Sequence, residues 1–247
     1  MVNSLKTFML TRDAWNIENP KKRINNPKKR INNPQKSINN TSDFSKNTKA
    51  SAKPEKIKDV FLIPSHKDKL FWCFYILKFG EDSYDSVYKN VFKTEKAFKL
   101  NSAEVLINNE SLLKAHKLKR INIENDLINE KTITISCLYA LCLIYKVNIL
   151  YVVNRTFYKF IGEAGASVNV IKKDKKGDIG IVTKINVDTI TNDFYEILNH
   201  AKPILSFSAY KLAELQEIAH KVEVTLINEL GKKKTKKKLY EDILTKF

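Results

Sequence analysis

Residues 132–162 read TITISCLYALCLIYKVNILYVVNRTFYKFIG, and their pattern decides the fold class. Residues 134–145 are apolar on nearly every face, which suits a helix buried on all sides. Residues 149–153 and 156–161 then turn to Ile, Val, Tyr, Phe and Thr, side chains that favour a pleated surface. Asn154 and Arg155 stand between them at hairpin spacing, and Gly162 closes the far end. An apolar helix leading straight into a hairpin predicts helical and β structure within one α+β domain.

The flanks extend this pattern. Downstream, residues 167–172 and 178–184 form a second strand pair across Asp174, Lys175, Lys176 and Gly177, and residues 193–200 suit a helix before Pro203. Upstream, Val60 begins a short extended segment ending at Pro64, and Asp68 with Lys69 opens the apolar run LFWCFYILKF. Gly80 stops that run, which therefore reads as a second buried helix. Two amphipathic helices are expected next. One covers residues 86–100, with Val87, Val91, Ala97 and Phe98 inward, and the other covers 103–119, with Val105, Leu106, Leu112, Leu113 and Leu118 inward. The expected middle domain, residues 59–202, is thus a helical half followed by a small antiparallel sheet.

Residues 1–58 differ in kind. PKKRINN occurs at 20–26 and again at 27–33, and PQKSINN follows at 34–40. A proline in every seven-residue repeat removes a helical donor and clashes with the preceding turn, so a coiled coil is excluded. Such an Asn- and Lys-rich segment cannot bury enough apolar surface to fold alone, and is expected to be a disordered basic arm. Of the formal charge of +17, residues 1–60 carry fourteen Lys or Arg against five acids, or +9. That excess points to a polyanionic partner, for which DNA, RNA and acidic membrane surfaces are the candidates, nucleic acid foremost. The candidate contacts in the arm are Lys21, Lys22, Arg23, Lys28, Lys29 and Arg30. The repeats also fit a nuclear import signal or a tolerated tail without function.

Cys73, Cys137 and Cys142 lie in apolar stretches with no zinc-ligand spacing, which suits reduced core thiols of an intracellular protein. No metal and no cofactor is expected, because P-loop, GxGxxG, HExxH and paired-carboxylate patterns are absent and GEAG at 162–165 reads as a loop. The apolar runs are too short to span a bilayer, so no membrane partner is expected.

From Tyr210 the pattern changes again. YKLAELQEIAHKV places Leu212, Leu215, Ala219 and Val222 on one helical face, an extended link follows, and Thr235 can cap a last helix with Leu239, Ile243 and Phe247 inward. Helix, extended link, Gly231, a lysine-rich turn and helix resemble the SAP domain and its helix-extended-loop-helix relatives. The matching residues are Leu212, Leu215, Gly231, Lys232, Lys233, Lys234, Leu239 and Ile243. The resemblance covers about forty residues within a module at 203–247 and implies DNA binding. Lys236, Lys237 and Lys238 stand in the first turn of the last helix, where the dipole disfavours cations. A phosphate held there by free amides and by Lys232, Lys233, Lys234, Thr235, Lys236, Lys237 and Lys238 reverses that cost.

A second resemblance concerns Cys73. CFYI after aromatic residues, with a later helix leading into NILYVV, is similar to the papain-like cysteine proteases, the ovarian-tumour deubiquitinases in particular. It implies Cys73 as nucleophile and His200 as base, with His66 a poorer candidate, in an active hydrolase or an inactive remnant. The family carries an Asp-Gly-Asn-Cys loop, whereas Leu70, Phe71 and Trp72 precede Cys73 here. The chain's Asn- and Lys-rich style, repeats and SAP-like end resemble proteins of giant nucleocytoplasmic large DNA viruses. That likeness implies a role in viral DNA handling or in the virion, in the host cytoplasm or nucleus. The expectation is a non-enzymatic nucleic-acid-binding protein whose middle domain docks a protein partner, with a cysteine hydrolase or a structural virion protein as alternatives.

Overall fold

The computed structural model describes residues 60–200 and 202–247. They form an α+β fold with a six-stranded mixed sheet in the order β1-β5-β4-β2-β3-β6. The expected arm, with Lys21, Lys22, Arg23, Lys28, Lys29 and Arg30, lies outside the described residues.

Strand β1 (Val60–Leu62) precedes helix α1 (Lys69–Phe79). Asp68 caps α1 by accepting from the Phe71 amide at 3.2 Å, and Gly80 ends it. Helices α2 (Glu81–Ser86), α3 (Val91–Asn108), α4 (Glu110–Ala115) and α5 (Arg120–Asn129) follow. The two helices expected over 86–100 and 103–119 are therefore redrawn. Asn101 and Ser102, which read as a boundary, lie inside α3, because the buried Ser102 hydroxyl donates to the Phe98 carbonyl at 2.8 Å. Helix α5 was not expected from the sequence, and it buries Ile123 and Leu127.

Helix α6 (Ile135–Tyr145) starts as expected at Thr134, whose hydroxyl accepts from the Cys137 amide at 3.2 Å. Strands β2 (Asn148–Val153) and β3 (Thr156–Phe160) form the expected hairpin, and β4 (Val168–Lys173) and β5 (Ile179–Thr183) the second antiparallel pair. The sheet as a whole is not antiparallel, however. Strand β2 runs parallel to β4, and β1 pairs with β5 from before the helices. The helix expected over 193–200 is absent. Instead Asn186 caps α7 (Val187–Asp193) by accepting from the Asp188 amide, and the short strand β6 (Tyr195–Glu196) runs parallel to β3.

One face of the sheet, with Ile149, Tyr151, Phe160, Ile171 and Ile181, joins the core of α1, α3 and α6. The other, with Leu150, Val152, Phe157, Val170 and Val182, is covered by Ile190 of α7 and by Phe61 and Phe194. Burial on both faces explains why NILYVV carries no polar alternation.

A polar knot is buried among these helices. Asp68 accepts from the Lys99 ammonium at 2.7 Å and from the Ile133 amide at 3.0 Å. Lys99 also donates to Glu95 at 2.8 Å, and the Trp72 indole donates to the same carboxylate at 3.0 Å. Burial pushes the Lys99 ammonium down, but its hydrogen bonds to Asp68 and Glu95 outweigh that and leave it raised.

The C-terminal residues have a core of their own. Helices α8 (Leu212–Lys221) and α9 (Lys236–Leu244) pack Leu215, Ile218, Ala219, Val222, Leu239 and Ile243 together with Ile204 and Val224. Leu212 and Phe247, expected inward, are 43% and 41% exposed, while Ile218 takes the inward place at Leu212's expense.

Candidate nucleic-acid interface

The link between α8 and α9 is more folded than an extended segment. Ile227 and Lys233 pair across it, and Gly231 takes the positive φ of 72° that its tight turn requires. The Asn228 side chain accepts from the amides of Leu230 and Lys232 at 3.1 and 2.9 Å. This turn holds Lys232 and Lys233 on the surface, and the chain then enters α9 through Thr235, whose hydroxyl accepts from the Lys238 amide at 3.3 Å.

The structure separates the lysines that the sequence treats alike. Lys234 is 12% exposed, donates to Asp242 at 2.7 Å and to Thr225 at 3.1 Å, and so ties the link to α9. Lys238 shares the same carboxylate at 3.1 Å. Together, Lys234 before Lys238, they hold the Asp242 carboxyl below the usual range. Lys236 lies over the Phe207 ring, 4.3 Å from its centroid. Lys232, Lys233 and Lys237 have no ionic partner among the described residues. The amides of Lys236 and Lys237, at the start of α9, also have no acceptor there.

A second group of cations comes together that sequence order scatters. Arg155, Lys172, Lys173, Lys175 and Lys246 line a cleft of about 510 Å³ where the β2–β3 and β4–β5 turns meet the end of the chain. Arg155 stacks on Phe194 at 4.3 Å, and its Nε donates to the Lys221 carbonyl at 3.4 Å and lies 3.3 Å from Glu223. In the sequence only the KKDKK run of residues 172–176 marks this place, and there it reads as a turn.

Cys73 is fully buried in the second turn of α1. Burial first, then the Asp68 carboxylate, push its thiol up to about 12, against a smaller opposing pull from Lys69. This is the reverse of what a thiolate nucleophile needs. His200 packs edge-on against Tyr139 and Phe160, and His66 lies against Trp72 and Tyr84. Neither histidine hydrogen-bonds Cys73 among the described residues. Among those residues no cluster of three or more His, Cys, Asp or Glu could hold a metal ion, and no helix is long and apolar enough to cross a membrane. No family model, no curated protein and no solved structure matches the chain.

Proposed function

We propose that this is a non-enzymatic nucleic-acid-binding protein, acting in viral DNA handling or as a virion component. It holds the phosphate backbone, DNA foremost, through the basic N-terminal segment and the C-terminal module, while residues 59–202 dock a protein partner. The observation that carries this reading is the set Lys232, Lys233 and Lys237, which lack ionic partners among the described residues and stand beside the open amides of α9. Uncompensated cations at a helix N-terminus cost stability, and a bound phosphate turns that cost into attraction. Lys234 and Thr235 support the site by fixing its backbone rather than by meeting phosphate.

The test is duplex-DNA affinity across a salt series. Each phosphate contact contributes about 0.9 to the slope of log affinity against log salt, so Lys232→Gln/Lys233→Gln/Lys237→Gln flattens it by about 2.7. A chain lacking residues 1–58 flattens it further. Absence of binding by the intact chain at low salt overturns the reading.

A further inference from the structure

We propose that the cleft lined by Arg155, Lys172, Lys173, Lys175 and Lys246 is a second phosphate site, taking the backbone of a single nucleic-acid strand. This inference rests on the nucleic-acid reading above and extends it from the C-terminal module to the sheet. Its cations come from four separate places: the β2–β3 turn, the end of β4, the β4–β5 turn and the segment after α9.

The acids of the cleft are already engaged. Glu223 lies 3.3 Å from Arg155 Nε. Asp174 accepts from the amides of Lys176 and Asp178 at 2.9 and 2.8 Å, and so shapes the turn. Lys172, Lys173, Lys175 and Lys246 have no ionic partner among the described residues. Like charges gathered in one concavity raise the local potential and concentrate anions there.

Arg155 gives the site its chemistry. Its ring stack on Phe194 and its Nε contacts fix the guanidinium plane, while its two terminal nitrogens have no partner among the described residues. A guanidinium held in this way offers a fork that matches two oxygens of one phosphate.

The size of the cleft favours one strand. A concavity of about 510 Å³ is of the size that encloses a small ligand, suited to a nucleotide or two and not to the body of a duplex.

The experiment measures binding of the full chain to a labelled oligothymidylate and to a duplex of equal length by fluorescence anisotropy, across a salt series. The cleft variant is Lys172→Gln/Lys173→Gln/Lys175→Gln/Lys246→Gln. Its control, Lys89→Gln/Lys93→Gln/Lys119→Gln/Lys131→Gln, removes the same charge from exposed sites outside the cleft. At about 0.7 per phosphate contact, the cleft variant flattens the single-strand slope by up to about 2.8, more than it flattens the duplex slope and more than the control does. Arg155→Lys keeps the charge and the slope but weakens single-strand binding about tenfold through loss of the fork. Equal slopes for cleft variant and control, or equal flattening for duplex and single strand, overturn this inference. If Lys232→Gln/Lys233→Gln/Lys237→Gln still flattens the duplex slope in that case, the nucleic-acid reading survives alone. Binding of neither probe by the intact chain removes both.

Discussion

Replacing Lys99 by Met isolates the buried knot around Asp68. Methionine keeps the unbranched chain out to Cε and so its packing near the Phe71 ring, whose centroid is 5.0 Å from the ammonium in the native protein. What it removes is the cation facing Asp68, a carboxylate only 1% exposed. Breaking one side of a buried ion pair leaves an uncompensated charge and costs about 3–5 kcal/mol. Glu95, at 22% exposure, reaches water and adds little to that cost. For a folded region of this size each kcal/mol lowers the midpoint of thermal unfolding by roughly 2–4 °C, so a fall of about 10 °C is expected. Urea unfolding followed by far-UV circular dichroism gives the free energy directly. Asp68→Asn in the same chain is the diagnostic partner, since an amide oxygen still accepts from the Phe71 amide but carries no charge. The double variant should be more stable than Lys99→Met alone. A loss below about 1 kcal/mol for Lys99→Met, the scale of an exposed pair, refutes the reasoning. So does a double variant whose loss is the sum of the two singles.

Two further outcomes follow from burial. Cys73, Cys137 and Cys142 are all fully buried with thiols pushed upward, so none should react with a thiol-specific dye near neutral pH until the protein unfolds; mass spectrometry of native protein showing rapid labelling at Cys73 would reopen the hydrolase alternative. Burial also lowers His200 below its ordinary 6.5, which means the unfolded chain takes up the proton first and stability falls as pH drops through that value. His200→Gln should flatten this acid limb, and a titration midpoint at or above 6.5 in the folded protein, followed by NMR, would contradict it.

The parts of the fold legible in the sequence are those set by neighbours along the chain. Asp68 and Gly80 bracket α1, Thr134 opens α6, and Asn154 with Arg155 turns the β2–β3 hairpin, each through contacts within a few residues. What escaped is set at a distance. Ile123 and Leu127 give α5 a two-residue inner face, while Ile121 and Ile128 are 72% and 55% exposed and blur its period. The parallel pairing of β2 with β4 depends on both faces of the sheet being covered, which no local pattern records. The lysine-rich turn before α9 was visible as a run, but its division into Lys234, bound to Asp242, and Lys232, Lys233 and Lys237, which have no ionic partner among the described residues, depends on a carboxylate eight residues beyond Lys234. The cleft around Arg155 was illegible for the same reason, as its cations become neighbours only when two turns and the segment after α9 converge.

Tyr195 belongs to two cores at once, packing against the main cluster and against that of α8 and α9, with its ring 5.5 Å from Phe247. The C-terminal cluster has eight buried side chains, too few to make a strongly stable unit unaided. Arg155, through the Lys221 carbonyl and Glu223, fastens the same seam from the hairpin side. Few aromatic and ionic contacts hold the α8–α9 module to the sheet, so it is expected to open as a unit at lower energy than the sheet. Native-state hydrogen exchange should therefore find the amide protons of Leu239 and Ile243 exchanging through openings that leave those of Ile149 and Tyr151 protected.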